Sequence, residues 1–224
     1  MTPLLVVTGL SILGVYAIVV AAINKDFLYL QAGGKYLSPL YSPDLSALFG
    51  WHNGKFPYAF LVLWAPLGLR STCYYYRKSY YRSYFLMPPA CAVSGLARRK
   101  PSGESDYKGE TKFPWVLNNV HRVFFYFALI VVGFLWYDAI RAFIWKTPSG
   151  TYFGIGLGSM IMLVDVILLS GFTLGCNSFR HLIGGGMPCL SCSATARVRQ
   201  KGWRGVSFLN ARHSTWAWFS LFSV

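Results

Sequence analysis

The sequence predicts an all-α fold, a bundle of five transmembrane helices with its N-terminus on the cytoplasmic side. The chain has 224 residues, of which 54% are hydrophobic, 18% aromatic and only 12% charged. A soluble domain carries about a quarter charged residues. Apolar runs near the roughly 20 residues that cross a bilayer recur along the chain, with basic loops between them. The whole of 1–224 reads as a single transmembrane anchor domain, with helices at about 4–23, 56–82, 116–145, 152–176 and 213–224.

The first helix, 4–23, lacks a basic segment ahead of it and an A-x-A site, so it reads as a retained span rather than a cleaved signal. A Gly-, Ser- and Pro-containing loop, 24–55, follows. The second helix starts near Phe56, with Pro66 a probable kink site by its missing N–H. It runs into the aromatic, basic stretch from Cys73 to Tyr84 and is stopped by Pro88 and Pro89. A polar loop covers 98–112. The third helix, 116–145, ends at the turn Pro148-Ser149-Gly150, and the fourth is 152–176. The loop 177–212 contains Gly184, Gly185 and Gly186 and no acidic residue. The fifth helix begins near His213. Only a dozen residues remain to Val224, too few to cross, so the sequence reading expects a continuation.

The charge of +14 comes from 21 Lys and Arg against 7 Asp and Glu. Most of the basic residues lie in 70–112 and 177–212, which places those loops inside. That placement accounts for the basic balance without nucleic acid. Of the five cysteines none falls in an outer loop. Structural disulfides belong to the oxidising side, so these thiols read as free or as metal ligands.

Cys73, Cys91, His121, Cys176, His181 and His213 each lie at or near the inner end of an apolar segment; His52 alone lies outside. A metal centre at the cytoplasmic face is the chemistry this pattern suits. A Rieske-type [2Fe–2S] cluster needs two thiolates on one iron and two imidazoles on the other. Cys73 and Cys91 are the preferred thiolates, with Cys176 in reserve. His121, His181 and His213 supply the imidazoles. Haem b, held by paired histidines, is the alternative, but it leaves the cysteines unexplained. Cys189 and Cys192 have the spacing of a zinc knuckle or a redox pair, although no second pair stands near.

Quinone binding needs a hydrogen-bond donor beside an apolar slot. Tyr81, Arg82, Trp115, Arg122, Tyr126 and Trp216 are the candidates. The aromatic, basic run 74–84 also suits an interface belt. Asp165 lies in the middle of the fourth helix, and an intramembrane acid is a functional candidate by default. A proton relay is its first reading. A transporter or non-redox scaffold that uses Asp165 is the competing class, but transporters carry broken helices and paired repeats, and neither is evident here. Asp138 and Arg141, three apart, read as a pair on one helix face.

Several stretches together resemble a known family: Cys73-Tyr-Tyr-Tyr-Arg-Lys-Ser-Tyr-Tyr-Arg82, Pro88-Pro-Ala-Cys91, Asn119-Val-His-Arg-Val-Phe-Phe-Tyr126, Gly175-Cys-Asn-Ser-Phe-Arg-His181 and Leu209-Asn-Ala-Arg-His-Ser-Thr-Trp-Ala-Trp218. They resemble the five-helix, single-chain membrane anchor of actinobacterial succinate:quinone oxidoreductases, over most of the chain from about Trp64. The resemblance implies flavoprotein and iron–sulfur partner subunits, the bacterial cytoplasmic membrane, and electrons passed to menaquinone or ubiquinone. It implies a haem b or a Rieske-type centre in the anchor, with His121, His181 and His213 as imidazoles and Cys73, Cys91 and Cys176 as thiolates. A haem-containing fumarate reductase anchor is the neighbouring alternative, and a higher oligomer of the complex stays open. Asn177 stands where many relatives are expected to carry His.

Overall fold

The computed structural model describes residues 2–25, 27–31, 33–45, 57–84, 116–185, 189 and 191–224. His52, Cys91, Trp115 and the polar loop 98–112 lie outside the described residues. The chain is mostly helical: α1 (Thr2–Ile23), α2 (Phe60–Thr72), α3 (Tyr74–Tyr84), α4 (Leu117–Arg141), α5 (Leu157–Leu174), α6 (Asn177–Gly184), α7 (Ala194–Ala211) and α8 (His213–Phe222). Two antiparallel hairpins, β1 (Leu28–Gln31) with β2 (Gly34–Leu37) and β3 (Ile144–Thr147) with β4 (Gly150–Phe153), lie at the end opposite the basic loops.

Among the described residues three helices are long and apolar enough to cross a membrane: Pro3–Ile23, Leu117–Arg141 and Leu157–Leu174. Their outward side chains, such as Ile12, Val15, Ile130, Ile140, Ile161 and Val164, are exposed, as a lipid-facing surface requires. These correspond to the predicted first, third and fourth helices. The third is shorter than predicted, because residues 144–147 turn back as β3. The fourth begins at Leu157, because residues 150–153 form β4.

The predicted second helix, 56–82, is not continuous. It breaks at Cys73, whose ψ of 135° is extended. Two hydroxyls compete with the helix just before the break: Ser71 Oγ and Thr72 Oγ1 both donate to the Gly68 carbonyl, at 3.2 and 2.6 Å. The predicted loop 177–212 also departs from the structure, since it holds α6 and α7. Cys176, with ψ 143°, separates α5 from α6. Arg212, with ψ 20°, separates α7 from α8.

α2 packs along α4, α1 along α3, α4 on α5, α5 on α8 and α6 on α7. One core cluster joins Val6, Leu69, Cys73, Tyr76, Phe125, Phe172, Cys176 and Ala217. At the opposite end Tyr41 and Tyr58 pack with Phe27, and Tyr41 Oη donates to the Val20 carbonyl at 2.7 Å. Asp138 accepts from Ser42 Oγ at 2.6 Å rather than pairing with Arg141, whose guanidinium lies over Tyr137.

The α2–α4 approach depends on Gly68, where a Cβ would run into the Phe124 ring. Gly68→Val is therefore expected to destabilise the fold by about 1–3 kcal/mol through overpacking. Thermal unfolding of the detergent-purified protein checks this, and an unchanged midpoint would show that Phe124 yields freely.

Candidate metal centre

Three of the predicted ligands, Cys73, Cys176 and His213, sit at or directly beside the three helix breaks. The breaks turn their side chains into the core cluster, and His121, one turn into α4, meets them there. His121 Nε2 is 2.9 Å from Cys176 Sγ. His213 Nε2 is 3.3 Å from Cys73 Sγ. The two pairs are neighbours, since Cys73 and Cys176 belong to one buried cluster. Both thiols are free and buried.

The hydrogen bonds fix the tautomer of His121. Thr72 Oγ1 is 3.0 Å from His121 Nδ1. Its one hydroxyl proton is committed to the Gly68 carbonyl, so the oxygen must accept from Nδ1–H. The lone pair of His121 is then on Nε2, facing Cys176. A carbonyl- or hydroxyl-anchored Nδ1–H is how ligand histidines are held for a metal. His213 is oriented differently, by stacking on Phe172 at 4.9 Å between centroids with 16° between the planes. Its Nδ1 is buried and has no hydrogen-bond partner among the described residues. Gly175 leaves the space for this ring: a Cβ there would stand 3.4 Å from His213 Nδ1 and 2.6 Å from the Gly171 carbonyl. Asn210 Nδ2 donates to the Gly175 carbonyl at 2.8 Å and ties α7 to the end of α5.

Among the described residues no group of three His, Cys, Asp or Glu forms a ready-made metal cage. The contacts run in two S···N pairs. The donor set of two thiols and two imidazoles nevertheless fits a mixed Cys/His centre, and the orphaned His213 nitrogen and the fixed His121 tautomer fit it too.

Arg70 is the residue that sequence reasoning missed. It was taken as the start of an inner loop, yet it is only 4% exposed. Its Nη1 donates to Tyr76 Oη at 3.0 Å and the Ala217 carbonyl at 3.2 Å, and its Nη2 to Ser220 O and Oγ, both at 2.8 Å. The guanidinium also lies 4.7 Å from the centroid of Phe172, the ring that supports His213. A lone arginine deep in an apolar segment was the available signal. An apolar cleft, lined by Leu13, Leu63, Leu135 and Phe172 among others, reaches Arg70 from the α1, α4 and α5 side.

The other predicted residues fall outside this cluster. His181 is exposed on α6. Arg122 and Tyr126 face outward from α4, and Tyr81 and Arg82 belong to the last turn of α3. Trp216 lies on α8, and its Nε1 is buried without a partner among the described residues. Asp165 is 2% exposed and accepts from Ser223 Oγ at 2.7 Å. Cys189 and Cys192, whose spacing suits a zinc knuckle or a redox pair, form a disulfide rather than remaining free thiols or metal ligands. Their separation of three residues brings the sulfurs together without help from the rest of the fold.

The apolar spans and the helical fold define a helical integral membrane protein, with buried thiol–imidazole pairs where its helices break. The chain belongs to the family of the actinobacterial succinate dehydrogenase subunit SdhC, whose model matches residues 1–224. It is similar to a chain of the Mycobacterium smegmatis Sdh1 complex in the apo form, with 40% identity and a TM-score of 0.75, over 100% of this chain and 83% of that one. No curated protein sequence matches it. The chain is thus a membrane-anchor subunit of succinate dehydrogenase, an oxidoreductase, in the bacterial cytoplasmic membrane. Its partners are flavoprotein and iron–sulfur subunits. Family membership sets aside the transporter reading of Asp165.

Proposed function

We propose that Cys73, Cys176, His121 and His213 hold a Rieske-type [2Fe–2S] group, through which this anchor serves quinone reduction by succinate dehydrogenase. The observation that carries the reading is the pair of contacts His121–Cys176 and His213–Cys73, two thiols and two imidazoles gathered in one buried cluster. When bound, such a group supplies one-electron transfer between the iron–sulfur subunit and menaquinone or ubiquinone. We choose Cys176 over Cys91 because its sulfur faces an imidazole whose lone pair is already oriented.

The chain's own residues have separate tasks in this reading. Thr72 holds His121 in the ligand tautomer. Phe172 holds the plane of His213. The unpartnered Trp216 N–H is a donor suited to a quinone carbonyl, and the cleft beside Arg70 suits an isoprenoid tail. Quinone reduction consumes two protons per two electrons. Asp165, buried and hydrogen-bonded to Ser223, is the proton-relay candidate. The fold of this reading is a five-span bundle in which α2 belongs to the second crossing and α8 to the fifth.

A split assay on the assembled complex tests the reading. Cys176→Ala is expected to abolish succinate-driven quinone reduction while leaving reduction of a water-soluble dye that draws electrons from the partner subunits. Equal rates of quinone reduction in the variant and the parent complex would end the assignment.

A further inference from the structure

Cys189 and Cys192 are joined by a disulfide between α6 and α7, apart from the two thiol–imidazole pairs. The distribution of Lys and Arg puts this loop on the cytoplasmic side: 177–212 carries Arg180, Arg197, Arg199, Lys201, Arg204 and Arg212 and no acid. Disulfides on that side are uncommon in mesophilic proteins, and those that occur are mostly transient, catalytic or redox-sensing.

Thiol–disulfide exchange needs access, a field that favours the thiolate, and a resolving thiol close by. Cys192 is exposed and Cys189 half-buried three residues away. Cys192 directly precedes Ser193, whose Oγ accepts from the Ala196 N–H at 3.1 Å and opens the 18-residue helix α7. The first turn of that helix contains no acidic residue, and its aligned N–H groups leave the terminus partially positive. Arg199 clasps the other limb of the loop, donating from Nε to the Ile183 carbonyl and from Nη2 to the Gly185 carbonyl, both at 2.8 Å. The field at Cys192 is therefore positive from the helix terminus that it directly precedes.

We propose that Cys189 and Cys192 form a reversible thiol–disulfide site that exchanges with small cytoplasmic thiols. A small thiolate attacks the exposed Cys192 Sγ, the Cys189–Cys192 bond breaks, and Cys189 leaves as a thiolate that takes up a proton. A second small thiolate attacks the mixed disulfide on Cys192 and releases it as a thiol. Two electrons and two protons pass from two small thiols to the protein pair, and the small thiol leaves as its own disulfide. The reverse sequence reoxidises the pair. The disulfide stands before the first turn of α7, and the proposed ligand His213 stands past its last, beyond the break at Arg212.

Equilibrating the whole purified complex with reduced and oxidised glutathione at varied ratios, then alkylating and mapping the peptides by mass, tests this. The 189–192 peptide is expected to pass through one reversible two-electron transition, and a Cys189→Ser complex to accumulate glutathione on Cys192. A pair that stays wholly disulfide or wholly thiol at every ratio, or a Cys189→Ser complex that takes up no glutathione, would overturn the proposal. Zinc co-purifying with the reduced pair would overturn it as well.

Discussion

Arg70→Met is expected to destabilise the inner end of the bundle by about 3 kcal/mol, the largest stability loss among single substitutions proposed for this protein. Methionine matches the apolar length of the arginine but none of its donors. Two acceptors on Ser220, the Ala217 carbonyl and the Tyr76 hydroxyl would each lose a charge-assisted bond in a buried site. Ser220 O lies in the last turn of α8, where helix carbonyls have no partner of their own, so Arg70 caps that helix. Arg70→Lys keeps the charge but not the fork, and a point ammonium cannot serve both carbonyls at the observed spacing. It is expected to fall between parent and Arg70→Met. Thermal unfolding of the three proteins in one detergent checks the order. Equal stability of Arg70→Met and the parent would show that α8 is held in place by its apolar contacts alone.

His121→Ala and Cys73→Ala are each expected to remove about two iron atoms per complex, since losing one ligand opens the centre. Thr72→Val is a milder form of the same experiment. It removes the oxygen that accepts from His121 Nδ1–H while keeping the side-chain shape. The expected result is a retained but weaker centre, by roughly ten- to a hundredfold in metal affinity, as for other partners of ligand histidines. Iron per flavin in the purified variant complexes, compared with the parent complex, reads all three. Unchanged iron in both His121→Ala and Cys73→Ala would remove these residues from the ligand set.

Much of this was legible in the sequence because bilayer thickness acts directly on composition. The three spans in α1, α4 and α5 are long apolar runs between basic segments, and a length criterion finds them. Depth alone brought Cys73, Cys91, His121, Cys176, His181 and His213 to one level; it did not separate the four that meet from His181, which is exposed, or from Cys91, which lies outside the described residues. The breaks at Cys73, Cys176 and Arg212 were not legible. Beside the first of them the Ser71 and Thr72 hydroxyls bond back to the Gly68 carbonyl, which hydropathy does not record. For the same reason α6 and α7 were read as loop: α6 is short, and α7 carries four basic residues on its 18 positions. The hairpins were missed because four-residue strands carry too little alternation to stand out. Arg70 was misplaced because an arginine before Ser71, Thr72 and Cys73 looks like the water-facing end of a helix. Thr72 and Phe172 carry no sequence signal for their contacts with the two imidazoles.

A paired optical and EPR spectrum of the whole purified complex, oxidised and dithionite-reduced, tests the central claim most directly. The account predicts a Rieske-type reduced signal, distinct from those of the iron–sulfur subunit and lost in Cys176→Ala, with no haem Soret or α bands. Strong haem bands without that signal would contradict it, transferring His121 and His213 to a haem b and leaving Cys73 and Cys176 as packing.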